Sequence, residues 1–212
     1  MLRLCLCFLV AAALLAAQPL STISTSQPFE INGARVLVAG IPSHPLVAGD
    51  TVTMGAAPGL VRFADGSQLF VLPNSRLELS TSANAPSVKL ASGGVAYRFA
   101  GDSPLQLSAL STRVSASSDG SGQGRLWFED ANAWWYPSGA NYMLVATLVR
   151  PAAGQPTFTS ERVTPKNLSD VAGWRDYEPD WAQLPGGSGS GLIPPGAATD
   201  PTDPAAISSR NP

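Results

Sequence analysis

The chain is poor in charge, in histidine and in cysteine, and each shortage removes a class of function. Charged residues are 13% of its 212 residues, about half the roughly 25% of an average soluble domain. The net charge is −2 and no Lys/Arg cluster occurs, so there is no basic field for nucleic acid or anionic lipid. No nucleic-acid partner is expected. The single histidine, His44, has no second imidazole for a paired metal site, and no Gly-x-Ser-x-Gly elbow accompanies it. Within Pro42-Ser43-His44-Pro45 it reads as a surface residue of a constrained loop. A Ser-His-Asp hydrolase would have to use it, so a hydrolase ranks third among the function readings. No cofactor and no metal are expected.

The only long apolar run is Leu4–Leu15, too short for an ordinary transmembrane helix. It follows the short positive region Met1-Leu2-Arg3 and precedes the small pair Ala16-Ala17, the layout of an export signal cleaved after residue 17. Leu15 occupies the −3 position, where a small residue is preferred. The protein is therefore expected to be exported, periplasmic or extracellular, with no membrane span after cleavage. The alternative is an anchor formed by an uncleaved signal. Both cysteines, Cys5 and Cys7, lie inside this segment, so the mature chain has no disulfide framework and must be held by its core.

No sustained helical period appears between residues 29 and 150. What is abundant instead is turn chemistry, with 20 Gly and 19 Pro, and turn signals recur every 8–12 residues or so, as in sandwiches and barrels. The stretch Leu60–Leu79 organises the rest. With Asp65-Gly66-Ser67 as a three-residue hairpin loop, Gly66 supplies the φ > 0 position, and Phe63 pairs with Leu69 and Val61 with Val71. With Pro73-Asn74-Ser75 as a second loop, Val71 pairs with Leu77 and Leu69 with Leu79. Val61, Phe63, Leu69, Val71, Leu77 and Leu79 then share one apolar face, and Arg62, Phe70 and Glu78 form a row on the other. The expectation is a three-stranded meander.

Along the chain, residues 18–28 read as a loose Ser/Thr-rich linker, and strands are expected around Asn32-Gly33, after the turn Ala48-Gly49-Asp50, and at Val88–Leu90. Ser92-Gly93-Gly94 reads as a tight turn before the alternating Val95, Tyr97 and Phe99. Further strands are expected at Leu105–Leu107, Thr112–Ala116, Leu126–Phe128, Trp134–Tyr136, Tyr142–Leu148 and Pro156–Val163. Residues 29–163 are thus one all-β domain, a single antiparallel sandwich or roll of short hairpins. A short β-solenoid is the alternative, suggested by the repeated Asp-Gly-Ser at Asp65-Gly66-Ser67 and Asp119-Gly120-Ser121. Residues 164–184 form an aromatic segment packing on the domain, with a short helix at Ser169–Tyr177. Residues 185–212, with almost nothing to bury, read as a disordered tail.

Four blocks carry a family likeness: Val47-Ala48-Gly49-Asp50-Thr51-Val52, Val61–Ser67 ending in Asp-Gly-Ser, Leu72–Leu79 with its Pro73-Asn74-Ser75 turn and the alternating Leu77 and Leu79, and Val88-Lys89-Leu90-Ala91-Ser92-Gly93-Gly94-Val95. In this order, over roughly residues 46–99, they resemble the FecR domain. The resemblance implies an extracytoplasmic, β-rich module with no catalytic residues to transfer. Founding members relay an outer-membrane signal through an inner-membrane helix to a cytoplasmic sigma-factor-binding segment. Here only Met1–Arg3 precedes the hydrophobic stretch, so the expectation is the domain without that relay.

Two sets of side chains are candidate sites. Asp176, Glu178 and Asp180 alternate as Ca²⁺ ligands could, but Trp181 stands where an EF-hand loop needs Gly, and a solvated acidic turn is the stronger reading. All five tryptophans fall late: Trp127, Trp134, Trp135, Trp174 and Trp181, with Tyr136, Tyr142 and Tyr177 among them. On a strand, consecutive side chains point to opposite faces, so either Trp135 is core with Trp134 and Tyr136 outward, or the reverse. Outward Trp134 and Tyr136 would form a platform for an envelope protein or a polysaccharide, unless the Trp174–Trp181 segment folds back over them. Asp65, Gly66, Ser67, Pro73 and Asn74 are read as turn residues. The leading function is a non-enzymatic interaction module; the runner-up is a carbohydrate-binding module.

Overall fold

A computed structural model describes residues 18–117, 122–138, 143–150 and 155–163, together with Trp181. The expected signal, the Asp119 loop, the Ser169–Tyr177 helix, the acidic string, Tyr142, Trp174 and the tail lie outside the described residues. Within them every regular element is a strand. In chain order these are β1 (Ser21–Thr25), β2 (Phe29–Ile31), β3 (Ala34–Val36), β4 (His44–Leu46), β5 (Thr51–Thr53), β6 (Gly59–Phe63), β7 (Gln68–Val71) and β8 (Arg76–Ser82). Then come β9 (Ala85–Arg98), β10 (Gln106–Ala109), β11 (Thr112–Val114), β12 (Gln123–Glu129), β13 (Asn132–Pro137), β14 (Met143–Val149) and β15 (Thr157–Val163). No helix among the described residues is long and apolar enough to cross a membrane.

The long strand β9 joins two layers. Its second half pairs with β7 and β12 in the order β15-β14-β13-β12-β9-β7-β6-β1-β4, here the first layer. Its first half pairs with β8, which leads on through β5 to β2 and β3, and with β10, which leads to β11; this is the second layer. The β9–β10 pair is parallel and the other pairings are antiparallel. The assembly is an open, all-β roll whose two layers enclose one core, with Ile23, Val61, Leu69, Val95, Tyr97 and Leu126 from the first and Phe29, Val52, Leu77, Leu90, Leu107 and Val114 from the second.

The reason β9 bends is written in its alternation. Val88 and Leu90 face the core from even positions, whereas Val95, Tyr97 and Phe99 do so from odd ones. A strand can change parity only by inserting a residue, and the register against β8 slips between Arg76↔Ser92 and Leu77↔Leu90, a β-bulge that re-aims the chain into the other layer. Ser92-Gly93-Gly94 is therefore a bend inside a continuous strand and not the expected tight turn.

The expected meander is corrected in two ways. First, β6 and β7 do form a hairpin, but Val61 opposes Leu69 and Arg62 opposes Gln68, two residues from the expected register. An even shift leaves every side chain on its expected face. The loop is Ala64-Asp65-Gly66, closed by Phe63 N–H to Ser67 O at 2.9 Å and Gly66 N–H to Phe63 O at 3.1 Å. Second, β8 does not follow β7 in the same layer: Leu77 opposes Leu90 and Val52, while Val71 opposes Gly59 and Val95. Strands facing one core from opposite layers show the same alternation as neighbours in a meander. The row Arg62–Phe70–Glu78 is accordingly not formed, and Glu78 instead meets Lys89 at 2.9 Å on the second layer's exposed side, where such a pair contributes little.

Two further expectations give way. Residues 18–28 are not a loose linker, since β1 runs between β6 and β4 with Ile23 fully buried. The β-branched run Thr22-Ile23 with Thr25 suits a half-buried pleated strand, and that outweighs its polar composition. His44 is not a surface-loop residue. It opens β4 opposite Ile23, half-buried and edge-on to Phe29 with ring centroids 5.5 Å apart, and its Nε2 is buried without a hydrogen-bond partner.

Candidate functional site

Several polar residues of the four sequence blocks are turn pins. Asp50, nearly buried, accepts hydrogen bonds from Val47 N–H and Asn32 Nδ2, both at 2.8 Å, and Asn32 Oδ1 in turn accepts Thr51 N–H at 2.8 Å. The Asp65 carboxylate accepts Ser67 N–H at 2.9 Å and the Ser103 hydroxyl. Ser67, fully buried, accepts Ala100 N–H at 3.0 Å and reaches Ser103 Oγ at 2.8 Å, tying the hairpin tip to the loop after β9. Asn74 takes φ 58°, after Pro73, and Ser75, also buried, accepts Gly94 N–H at 2.9 Å. Asp50, Asn32, Asp65, Ser67 and Ser75 each accept a backbone N–H of the turns they hold. Gly66 sits at φ 92°, so Gly66→Val should cost about 1–3 kcal/mol and lower the melting temperature by roughly 3–10 °C; an unchanged melting temperature in calorimetry would reject that requirement.

The surface of interest is the outward side of the first layer. On β7 and the second half of β9 the odd positions fill the core, yet Phe70, Leu72 and Ala96, on the opposite side, are buried as well and form a second cluster with Trp127, Trp134 and Trp181. Trp127 faces Trp134 across β12–β13 and Gly94 across β12–β9. A Cβ on Gly94 would stand 2.7 Å from Trp127 Cζ3 and 2.9 Å from Leu72 Cδ1, so the missing side chain lets the indole lie on the sheet. The Trp127 Nε1–H donates to Glu129 Oε2 at 3.3 Å.

Of the two alternation options for Trp134-Trp135-Tyr136, the structure shows Trp135 inward and the other two outward. Trp135 is 7% exposed and donates from Nε1 to Tyr97 Oη at 2.8 Å in the core. Trp134 packs on the outer cluster. Tyr136 stands in the cross-strand row Ala96–Arg125–Tyr136 and is half-buried.

Beside Tyr136 lies a groove of about 220 Å³, lined by Ala96, Tyr97, Gln123, Gly124, Arg125, Tyr136, Ser138 and Trp181. Gly124 borders it and turns its missing side chain toward the core, where a Cβ would come within 2.5 Å of the Tyr136 carbonyl oxygen and 2.7 Å of Tyr97 Cζ. Arg98 holds its guanidinium carbon 4.9 Å from the centroid of the Trp181 ring, a cation–π contact. The register sets Arg62, Gln68, Arg98 and Gln123 in one outward row, with Arg125 diagonal to Arg98. The acids of this side, Glu129 and Glu161, lie at the other end, past Trp127 and Trp134. The face is thus cationic at one end, aromatic in the middle and acidic at the other.

Sequence reasoning brought Arg62, Phe70, Trp134 and Tyr136 to this face but missed Leu72, Arg98 and Arg125 and did not expect Phe70 to be buried there. Leu60, Phe70 and Leu72 were the available signal, since even-numbered apolar residues on strands whose odd positions already fill the core mark sheet covered on both sides. His44 takes no part in the face. Among the described residues no three His, Cys, Asp or Glu side chains could hold a metal ion. No family model, curated protein or solved structure matches this chain.

Proposed function

We propose that the protein is a non-enzymatic, exported interaction module of the FecR-like type, which holds an envelope protein or polysaccharide on the outward side of its first layer. The observation that carries the reading is the second apolar cluster. A sheet needs one buried side to fold, and this one gathers Phe70, Leu72, Ala96 and three tryptophans on the other, beside an arginine row. Aromatic residues and arginine are the side chains over-represented at the centres of interfaces. The export half of the reading is supported by Met1–Ala17 in sequence, and the non-catalytic half by the use of the motif's own polar groups as turn pins.

The test is capture from an envelope extract by the full exported protein, with the Trp134→Ala/Tyr136→Ala variant in parallel. A defined partner retained by the wild type and reduced at least about tenfold in the variant, equivalent to losing about 1.4 kcal/mol of binding, is the expected result. Equal retention by both proteins sinks the assignment of the face, and a turnover lost on replacing His44 sinks the non-catalytic reading. The carbohydrate-binding alternative has one specific observation in its favour, the groove that sets Tyr136 and Trp181 beside Arg125, Gln123 and Ser138. Tryptophan fluorescence shifts on a glycan panel, with no protein captured, would select it.

A further inference from the structure

The roll is open, and among the described residues its sheet edges are unequal. β3, β4 and β11 each pair on one side only and are three residues long, and β4 carries Pro45. Short strands and proline are the usual means of blunting an edge. β15 has neither. It runs seven residues against β14 without a register shift, and residues 157–162 are exposed throughout. Phe158 on this edge is 51% exposed.

The direction of the β15 backbone follows from β14. Leu148 N–H donates to Ala131 O at 2.8 Å, on the β13 side, so by alternation Thr147 and Val149 bond toward β15. Their partners there are Thr159 and Thr157. Phe158 and Ser160 therefore turn their N–H and C=O groups to the open edge. We infer that this edge pairs with the same edge of a second copy, antiparallel about a two-fold axis at Thr159, to make a symmetric dimer.

The strand is self-complementary in that register. With Thr159 opposite Thr159 of the partner subunit, Phe158 exchanges two hydrogen bonds with the partner's Ser160, and Ser160 does the same with the partner's Phe158. Every open donor and acceptor of Phe158 and Ser160 is then used. The two Phe158 rings become diagonal neighbours, about 7–8 Å apart at the backbone and within aromatic reach, so each covers the other. Thr157 faces the partner's Glu161, and no like charges are opposed. An axis at Phe158 would set Ser160 against a proline, Pro156, which has no N–H to give. An axis at Ser160 would carry the two rings apart.

The axis stands perpendicular to the sheet, which places both outer faces on the same side of the dimer. Trp134 and the partner's Trp134 are then five strand spacings, or about 24 Å, apart. A repeating polymer or a dimeric partner could engage both faces, the second contact adding avidity. That consequence rests on the proposed function; the pairing itself does not.

The test is sedimentation velocity of the full exported chain from about 10 µM to 1 mM, because so short an edge makes a small interface and a weak dimer. The wild type should pass from monomer to dimer as concentration rises. Ser160→Pro and Phe158→Lys should each raise the dissociation constant at least about tenfold. Proline is tolerated where the N–H points off the sheet, so Ser160→Pro keeps the β14–β15 ladder, and Phe158→Lys sets like charges across the axis. Circular dichroism melts matching the wild type would show both variants folded. Residues 18–212 contain no cysteine, so disulfide formation reports the register. Thr159→Cys, with its Cα atoms about 4.5 Å apart across the axis, lies within disulfide range and should cross-link. Thr157→Cys, four residues out of step with its twin, should not. A monomer at every concentration overturns the dimer, as does association that both edge variants leave unchanged. Cross-linking stronger at 157 than at 159 overturns the register. A dimer that captures nothing from the envelope would overturn the proposed function alone.

Discussion

Gly93→Ala should lower the melting temperature by roughly 12 °C, about twice the loss in Gly40→Ala. Both glycines have left-handed backbones, Gly93 at φ 81° and Gly40 at φ 78°, so both substitutions carry a conformational cost of about 1–3 kcal/mol. They differ in surroundings. Nothing lies within 4 Å of a Cβ on Gly40, whereas a Cβ on Gly93 would stand 2.8 Å from both Cα and Cβ of Ser75. Ser75 cannot retreat, because it is fully buried and its hydroxyl bonds both Gly94 N–H at 2.9 Å and Gly94 O at 3.2 Å. Overpacking adds about 1–3 kcal/mol, and a chain of this size loses about 2–4 °C per kcal/mol. Because the bulge beside Gly93 is where β9 passes between layers, strain there reaches both. Thermal unfolding followed by circular dichroism measures the difference, and equal losses in the two variants would mean that the contact with Ser75 is not why position 93 is glycine.

That bend also shows how far this fold can be read from its sequence. Alternation identified which residues face the core, and it did so even where the register was misjudged: Val61, Phe63, Leu69, Val71, Leu77 and Leu79 are all buried. What alternation does not carry is the identity of the neighbouring strand. Leu77 and Leu79 present the same pattern whether they flank Val71 in one sheet or face it from the other, and only the parity change between Leu90 and Val95 distinguishes the two. β1 was missed because Ser and Thr dominate its composition while its fit to a pleated strand rests on Ile23 and the β-branched threonines. At the outer face, Trp134 and Tyr136 were legible because three aromatics in a row must divide between two sides. Arg98 and Arg125 were not, because single arginines on separate strands become a row only once β9 and β12 are paired. The polar signatures that look most like chemistry, Asp50, Asp65-Gly66-Ser67 and Ser75, turn out to hold backbone, whereas the groove is built from residues in no motif at all.

Trp134 and Trp135 are adjacent in sequence, and replacing each by alanine should have opposite consequences. Trp135 lies in the core against Tyr97 and β14, where Trp→Ala typically costs about 3–5 kcal/mol, a fall of roughly 6–20 °C in melting temperature. Trp134→Ala removes an indole from the outer face and should mainly weaken capture of a partner. The core term can be divided further. Tyr97→Phe leaves the Trp135 indole N–H without the acceptor it has at 2.8 Å, and an unsatisfied buried donor costs about 1–3 kcal/mol. Trp135→Phe removes the donor and some volume. Removing both partners of this bond takes away the orphaned indole donor, so the double variant should be less destabilised than the sum of the singles by about 1 kcal/mol or more in denaturant unfolding. Strict additivity would mean that the hydrogen bond contributes nothing beyond packing. Equal melting-temperature losses for Trp134→Ala and Trp135→Ala would mean that β13 does not divide an inside from an outside, and the outer face would lose its claim to be free for recognition.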